Sequence, residues 1–184
     1  MRSGVAGAGL SGKRHIDAIG RVHGVVLSGV LDPAVDRATN LPMVTDIEAL
    51  AACSDGVILA VPTALHRAMA VALVEANCPV LVEKPLAGTA AEGAKMVSAA
   101  ERAGVPLLVG HHRRHNPLIA KAKEIIDGGT LGPITAVHGH CWLPKPDRYY
   151  ANAWRQGAGA GPLFINLIHD VDVLMHLCGP IAEV

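Results

Sequence analysis

The sequence predicts an α/β fold, a doubly wound parallel sheet followed by a partial second α/β domain. Three observations predict it. Short apolar runs alternate with Ala-rich windows of helical period through the first 110 residues. Apolar types make up 51% of the 184 residues and aromatics only 3%, so Ala, Val, Leu and Ile must build the core. After about residue 117 the alternation stops and a different composition begins. The expected domains are therefore 1–117 and 118–184.

The elements follow in order. "RSGVA" (2–6) is a first strand weakened by Ser3 and Gly4. "SGKRHIDAIG" is a helix and "VVLSGVL" (25–31) the next strand, read as buried on both faces. "DIEALAAC", "ALHRAMAVALVEAN" and "TAAEGAKMVSAAERAG" are helical windows ending near turn signals. Between them "GVILAV" (56–61), "PVLVE" (79–83) and "PLLVG" (106–110) read as strands buried on both faces. The last two count as the fifth and sixth strands of such a sheet. Strict alternation implies right-handed crossovers. Beyond 117, "NPLIAKAKEIIDGGTLG" is a helix capped by Asn-Pro and glycines. "PITAVHGHCWLP" is a strand, clearest from Ile134 to His140. Residues 144–162 form a polar loop expected to be mobile. A helix from about Leu163 to Cys178 stops at Gly179-Pro180, and a second strand starts at Ile181. Two strands make a marginal sheet, so the chain reads as the front of a longer protein, cut inside its second domain.

Composition excludes some partners. Formal net charge is zero, with no basic excess to neutralise phosphates, which argues against nucleic acid. No apolar run approaches the length of a bilayer span, so no membrane partner is expected. Cys53, Cys78, Cys141 and Cys178 lie far apart, as reduced thiols of a cytoplasmic protein would. His111, His112, His115, His138, His140 and Cys141 match no strong ligand spacing, and no metal is expected.

"GAGLSG" (7–12) is a G-x-G-x-x-G between a strand and a helix. Gly7, Gly9, Leu10, Ser11 and Gly12 would bring backbone N–H groups and a helix N-terminus to a pyrophosphate. Asp32 follows Gly12 by 20 residues, where a carboxylate accepts ribose hydroxyls and repels a 2′-phosphate. The reading is a Rossmann domain that binds NAD in preference to NADP. A tight turn with Asp32 as a helix cap is the bland alternative.

Glu83 and Lys84 of "VLVEKPL" stand where a parallel strand ends, at the cleft mouth. A Lys there can hydrogen-bond a substrate hydroxyl or stabilise an alkoxide. "GHHRRHNP" ends the next strand, so His112 and Arg113 are substrate candidates, with a solvated loop as the alternative. In the last helix Phe164, Leu167, Ile168, Val171, Leu174, Met175 and Cys178 share one apolar stripe. Asn166, His169, Asp170, Val173 and His176 lie opposite, on either a solvent face or a cleft face. His169 suits proton transfer near neutral pH.

These motifs together resemble the Gfo/Idh/MocA family, named for glucose–fructose oxidoreductase, inositol dehydrogenase and MocA. "GAGLSG" with Asp32, "ILAVPTALH" (58–66), "VLVEKPLA" (80–87) and "GPLFINLIHDVDVL" (161–174) occur in the family's order. The resemblance implies an NAD(P)-dependent oxidoreductase acting on a carbinol carbon of a sugar, polyol, inositol or diol. It implies Lys84 as the active-site lysine and His169 as the catalytic acid/base. Ala60, Pro62, His66 and Glu83 would lie along the cofactor. Trp154 and Arg155 resemble a pair near the nicotinamide, and Asn166 is the nearest polar neighbour of His169. Inositol dehydrogenase-like members carry an Asp four residues before this His. Here that residue is Ile165, so the pair is missing and the group that supports His169 stays open, with Asp172 as one candidate to steady the ring. A longer form would form a homo-oligomer through the second domain. Two other readings stay open: a regulatory dinucleotide-binding protein, and a chain that binds cofactor without turnover.

Overall fold

The computed structural model describes residues 1–35, 40–142, 144–151 and 163–184, with Leu163 described by its backbone alone. The chain divides into two compact units, Met1–Gly110 and His111–Val184.

In the first unit five parallel strands form one sheet among the described residues. They are β1 (Arg2–Ala6), β2 (Val26–Leu31), β3 (Gly56–Leu59), β4 (Val80–Val82) and β5 (Leu107–Val109), in the order β2-β1-β3-β4-β5. The connecting helices are α1 (Leu10–Ile19), α2 (Ile47–Cys53), α3 (Thr63–Glu75) and α4 (Ala90–Ala103). The strand count corrects the sequence reading: the runs at 79–83 and 106–110 are the fourth and fifth strands. The third place of a six-stranded sheet is reduced to one parallel bridge, Val30 to Met43. Pro42 has no N–H to donate, and Asp46 already caps α2, so no longer ladder forms. The outer strands also depart from the expectation of burial on both faces, since Val26 and Leu108 are 58% and 60% exposed.

Ser3 and Gly4 look unsuited to a central strand, yet β1 is one. Their small size is what the packing needs. A Cβ on Gly4 would lie 2.5 Å from Ser54 Oγ and 2.9 Å from Leu50 Cδ1. A Cβ on Gly29 of β2 would meet Leu50 Cδ1 and Cys53 Sγ, each at 2.9 Å. The two glycines let α2 settle directly on the sheet and bury Leu50 completely. Leu59, Leu73 and Met96 are also fully buried beside it. Helix starts follow their caps: Asp46 accepts from Ala49 N–H at 2.8 Å, and Thr89 accepts from Glu92 N–H at 3.2 Å.

The second unit holds α5 (Pro117–Asp127) and α6 (Ile168–Cys178). Asn116 caps α5 by accepting from Leu118 N–H at 2.9 Å. The expected single helix from Leu163 begins as a π-helical turn, Leu163–Leu167, and becomes α-helical at Ile168. The strand expected from Ile134 to His140 does not form, nor does one at Ile181. A strand needs a partner for its N–H and C=O groups, and the described residues of this unit contain no strand. Of the 144–162 loop, residues 147–151 make a short 3₁₀ turn, and 152–162 lie outside the described residues.

Leu50→Ala should therefore destabilise the first unit by about 2–5 kcal/mol, read from urea unfolding. A cost below about 1 kcal/mol would mean that α2 is not held by this contact.

Candidate active site

The site residues of the first unit gather at the carboxyl ends of β1, β2, β3 and β4. Gly7 follows β1 with φ +87°, and a Cβ there would lie 2.5 Å from the Ala60 carbonyl oxygen. A Cβ on Gly12 would lie 1.8 Å from the Gly7 carbonyl oxygen. Nothing within 4 Å would meet a Cβ on Gly9. So Gly7 and Gly12 are fixed by close backbone approach, while Gly9 faces open space. Helix α1 starts from Gly9 without a side-chain cap or an acidic residue in its first turn. Leu10 and Ser11 open that turn. An open, uncapped helix start beside a close-packed glycine turn fits a dinucleotide pyrophosphate.

Asp32 stands at the end of β2. Its Oδ2 accepts from Ala8 N–H at 2.6 Å and its Oδ1 from Ala34 N–H at 2.8 Å. The carboxylate thus ties the glycine loop to β2, a role the sequence did not reveal. A cleft lined by Ala8, Lys13, Asp17, Val35 and Leu41 lies alongside.

His66 departs from its expected place along the cofactor, being only 1% exposed. Its Nδ1 lies 3.0 Å from the Pro85 carbonyl oxygen and 3.2 Å from that of Leu86, and its Nε2 lies 3.0 Å from that of Val61. It joins the β3–α3 loop, which contains Pro62, to the turn after Lys84. Pro62 itself is exposed and Ala60 half-buried.

Glu83 lies beside the half-buried Lys84. Its Oε1 is 2.8 Å from His15 Nε2, and its Oε2 accepts from Lys84 N–H at 3.2 Å. Burial, the largest influence, works to raise the carboxyl's pKa. The His15 hydrogen bond and charge, with the Lys84 N–H and charge, outweigh it and hold the carboxyl below the usual glutamate range. Sequence reasoning missed His15. The signal was its spacing, three residues after the buried Gly12 and so on the same face of α1.

In the second unit the polar face of α6 is the packed one. His169 and Asp172 are 7% and 8% exposed, whereas Phe164, Val171 and Met175 of the apolar stripe are 49%, 36% and 40% exposed. The His169 ring meets His112 edge-on at 4.8 Å and His111 at 6.3 Å. Asp172 does not serve the role expected of it beside His169. It takes a two-pronged bond from Arg114, with distances of 2.6 to 3.0 Å, and faces His111 Nδ1 at 3.6 Å. Burial works against its ionisation, but Arg114's hydrogen bond and the charges of His111, Arg114 and His176 keep its carboxyl below the usual range. Arg113, expected to meet substrate, is paired with Asp170 at 2.5 Å. The 3₁₀ turn His112–His115 thus supplies two guanidinium groups that pair with Asp170 and Asp172 of α6. Asn166 is half-buried in the π-helical turn. Trp154 and Arg155 lie outside the described residues. Among the described residues no helix is long and apolar enough to cross a membrane.

The sheet, glycine turn and Asp32 define an NAD-binding Rossmann protein. Residues 1–111 match the oxidoreductase family with an NAD-binding Rossmann fold, and residues 119–184 match the GFO/IDH/MocA C-terminal domain. The chain therefore belongs to the Gfo/Idh/MocA oxidoreductase family. The rhizopine catabolism protein MocA of Rhizobium meliloti is 31% identical over 187 residues, covering 97% of this chain and 57% of that protein. Inositol 2-dehydrogenase of Corynebacterium glutamicum (strain R) is 29% identical over 190 residues, covering 97% and 54%. The crystal structure of the WlbA dehydrogenase from Bordetella pertussis with NADH and UDP-GlcNAcA superposes with a TM-score of 0.88 at 32% identity, covering 98% of this chain and 56% of that one. The chain spans about half the length of the relatives it matches.

A depressed carboxyl contributes stability above its unfolded value and loses that contribution as pH falls through its folded value. For Glu83 the contribution should be whole above the ordinary glutamate value of 4.5 and vanish at lower pH. Glu83→Gln should flatten that part of the urea-unfolding profile. An unchanged slope would remove Glu83 from the acid response.

Proposed function

We propose that this chain carries the cofactor half and part of the substrate half of an NAD-dependent oxidoreductase acting on a CH–OH group of a sugar, polyol, inositol or diol. One observation carries the reading: a close-packed Gly7–Gly12 turn with open space at Gly9, in a unit whose β4 ends directly at Glu83-Lys84. The relatives support the substrate class, since one is an inositol dehydrogenase and another was crystallised with NADH and a nucleotide sugar acid.

The chemistry divides among named residues. Gly7, Gly9, Leu10, Ser11 and Gly12 would hold the pyrophosphate, and Asp32 the adenosine ribose. Bound NAD supplies the hydride acceptor, or in its reduced form the donor. Lys84 would hydrogen-bond the reacting oxygen and stabilise negative charge on it. His169 would take the hydroxyl proton during oxidation and return it during reduction. His112 and Asn166 would contact other substrate hydroxyls. Arg113 would contribute only if it exchanges Asp170 for a substrate anion. Residues 1–117 would be the dinucleotide-binding domain and 118–184 part of the substrate and oligomerisation domain. The four thiols, all free of disulfides, fit a cytoplasmic home.

The test is a panel of sugars, inositols, sugar acids and diols, scored by NADH formation in a form extended to the length of the relatives. Lys84→Met and His169→Ala should each cut turnover by about 100-fold or more while leaving NADH affinity nearly intact. Near-full turnover in either variant would remove that residue from the chemistry. NADPH binding as tight as NADH would remove Asp32 from cofactor choice, and Asp32→Ser should narrow the difference between the two.

A further inference from the structure

We propose that His15 is a positioning residue that ties the helix following the phosphate loop to the turn carrying Lys84. The inference rests on the cofactor reading above and adds to it a physical link between the two ends of the site.

The Glu83 carboxylate is enclosed on three sides. His15 Nε2 stands 2.8 Å from Oε1, and Lys84 N–H donates to Oε2 at 3.2 Å. Gly110 packs against the third side: a Cβ there would lie 3.5 Å from the Cα, Cδ and Oε2 of Glu83, ordinary van der Waals distance. The His15 and Glu83 side chains are only 24% and 18% exposed, which separates this pair from the solvated surface pairs of α5. On the far side of Lys84, His66 holds the Pro85 and Leu86 carbonyls. The backbone of Lys84 is thus gripped before and after. Of these two grips, the one through Glu83 leads to α1, which approaches the glycine turn closely where Gly12 meets Gly7. A small shift of α1 on phosphate binding would pass through His15 to Glu83 and so to Lys84. A pair that serves packing alone would hold both regions together or neither, and would not pass a ligand's effect from one to the other.

Hydrogen exchange by mass spectrometry, with NADH as probe, separates these roles in the full chain. In the wild type NADH should slow exchange both around Gly7–Gly12 and across Leu81–Gly88. In His15→Leu, exchange across Leu81–Gly88 should rise by about tenfold, the scale of one lost hydrogen bond to a charged group, and no longer respond to NADH. Protection around Gly7–Gly12 should persist. His15→Gln keeps a donor and should restore part of the response. An unchanged response at Leu81–Gly88 in His15→Leu, loss of protection in both regions, or no restoration by Gln would overturn the inference. Absence of NADH protection in both regions of the wild type would instead overturn the cofactor reading on which it rests.

Discussion

The contact between Gly12 and the Gly7 carbonyl governs this molecule. At the distance a Cβ would reach, 1.8 Å, no side chain can exist at position 12. That approach brings α1 down onto the sheet beside β1 and β3, where the chain's connections leave β1 in opposite directions. The point between β1 and β3 is where an open parallel sheet leaves a crevice. Gly7 meets the Ala60 carbonyl there, so the loops after β1 and β3 form one wall. Asp32 secures the neighbouring loop through Ala8 N–H.

From this wall two histidines extend order to the Glu83–Leu86 turn. His66 does so from the interior through carbonyl oxygens, and His15 from α1 through a carboxylate. Neither needs to touch a ligand to matter, because both fix the backbone on either side of Lys84. In the second unit the pattern is charge rather than backbone. Arg113 and Arg114 pair with Asp170 and Asp172, and His169 is buried among the rings of His111 and His112. Ion pairing there decides which face of α6 is covered.

Much of the first unit was legible because each element carries its own signal. Apolar runs, helical windows and the glycine turn are local features, and local features are written in sequence. The reduction of the third strand to one bridge at Met43 was not legible from strand propensity, since the missing N–H of Pro42 matters only once this segment lies against β2. Gly4 looked like a weakness because its purpose, like that of Gly29, lies on α2, more than twenty residues away in sequence. Among the site residues, the glycine turn follows β1, Asp32 follows β2 and Glu83-Lys84 follows β4. The places of His66 and Asp172 were not legible. Two partners of His66 are carbonyl oxygens of a distant turn, and Arg114, 58 residues from Asp172, takes that carboxylate. For α6 the helical wheel left a solvent face and a covered face open for its polar side, because hydropathy takes no account of the ion partners that cover it.

The most direct measurement is calorimetric titration of NADH into the wild-type chain and into Gly12→Ala. The close contact of Gly12 with Gly7 predicts clear binding by the wild type and at least about a tenfold loss in the variant, since a Cβ must push α1 away from the pyrophosphate site. Equal affinity in the two, or no binding by the wild type, would contradict the account.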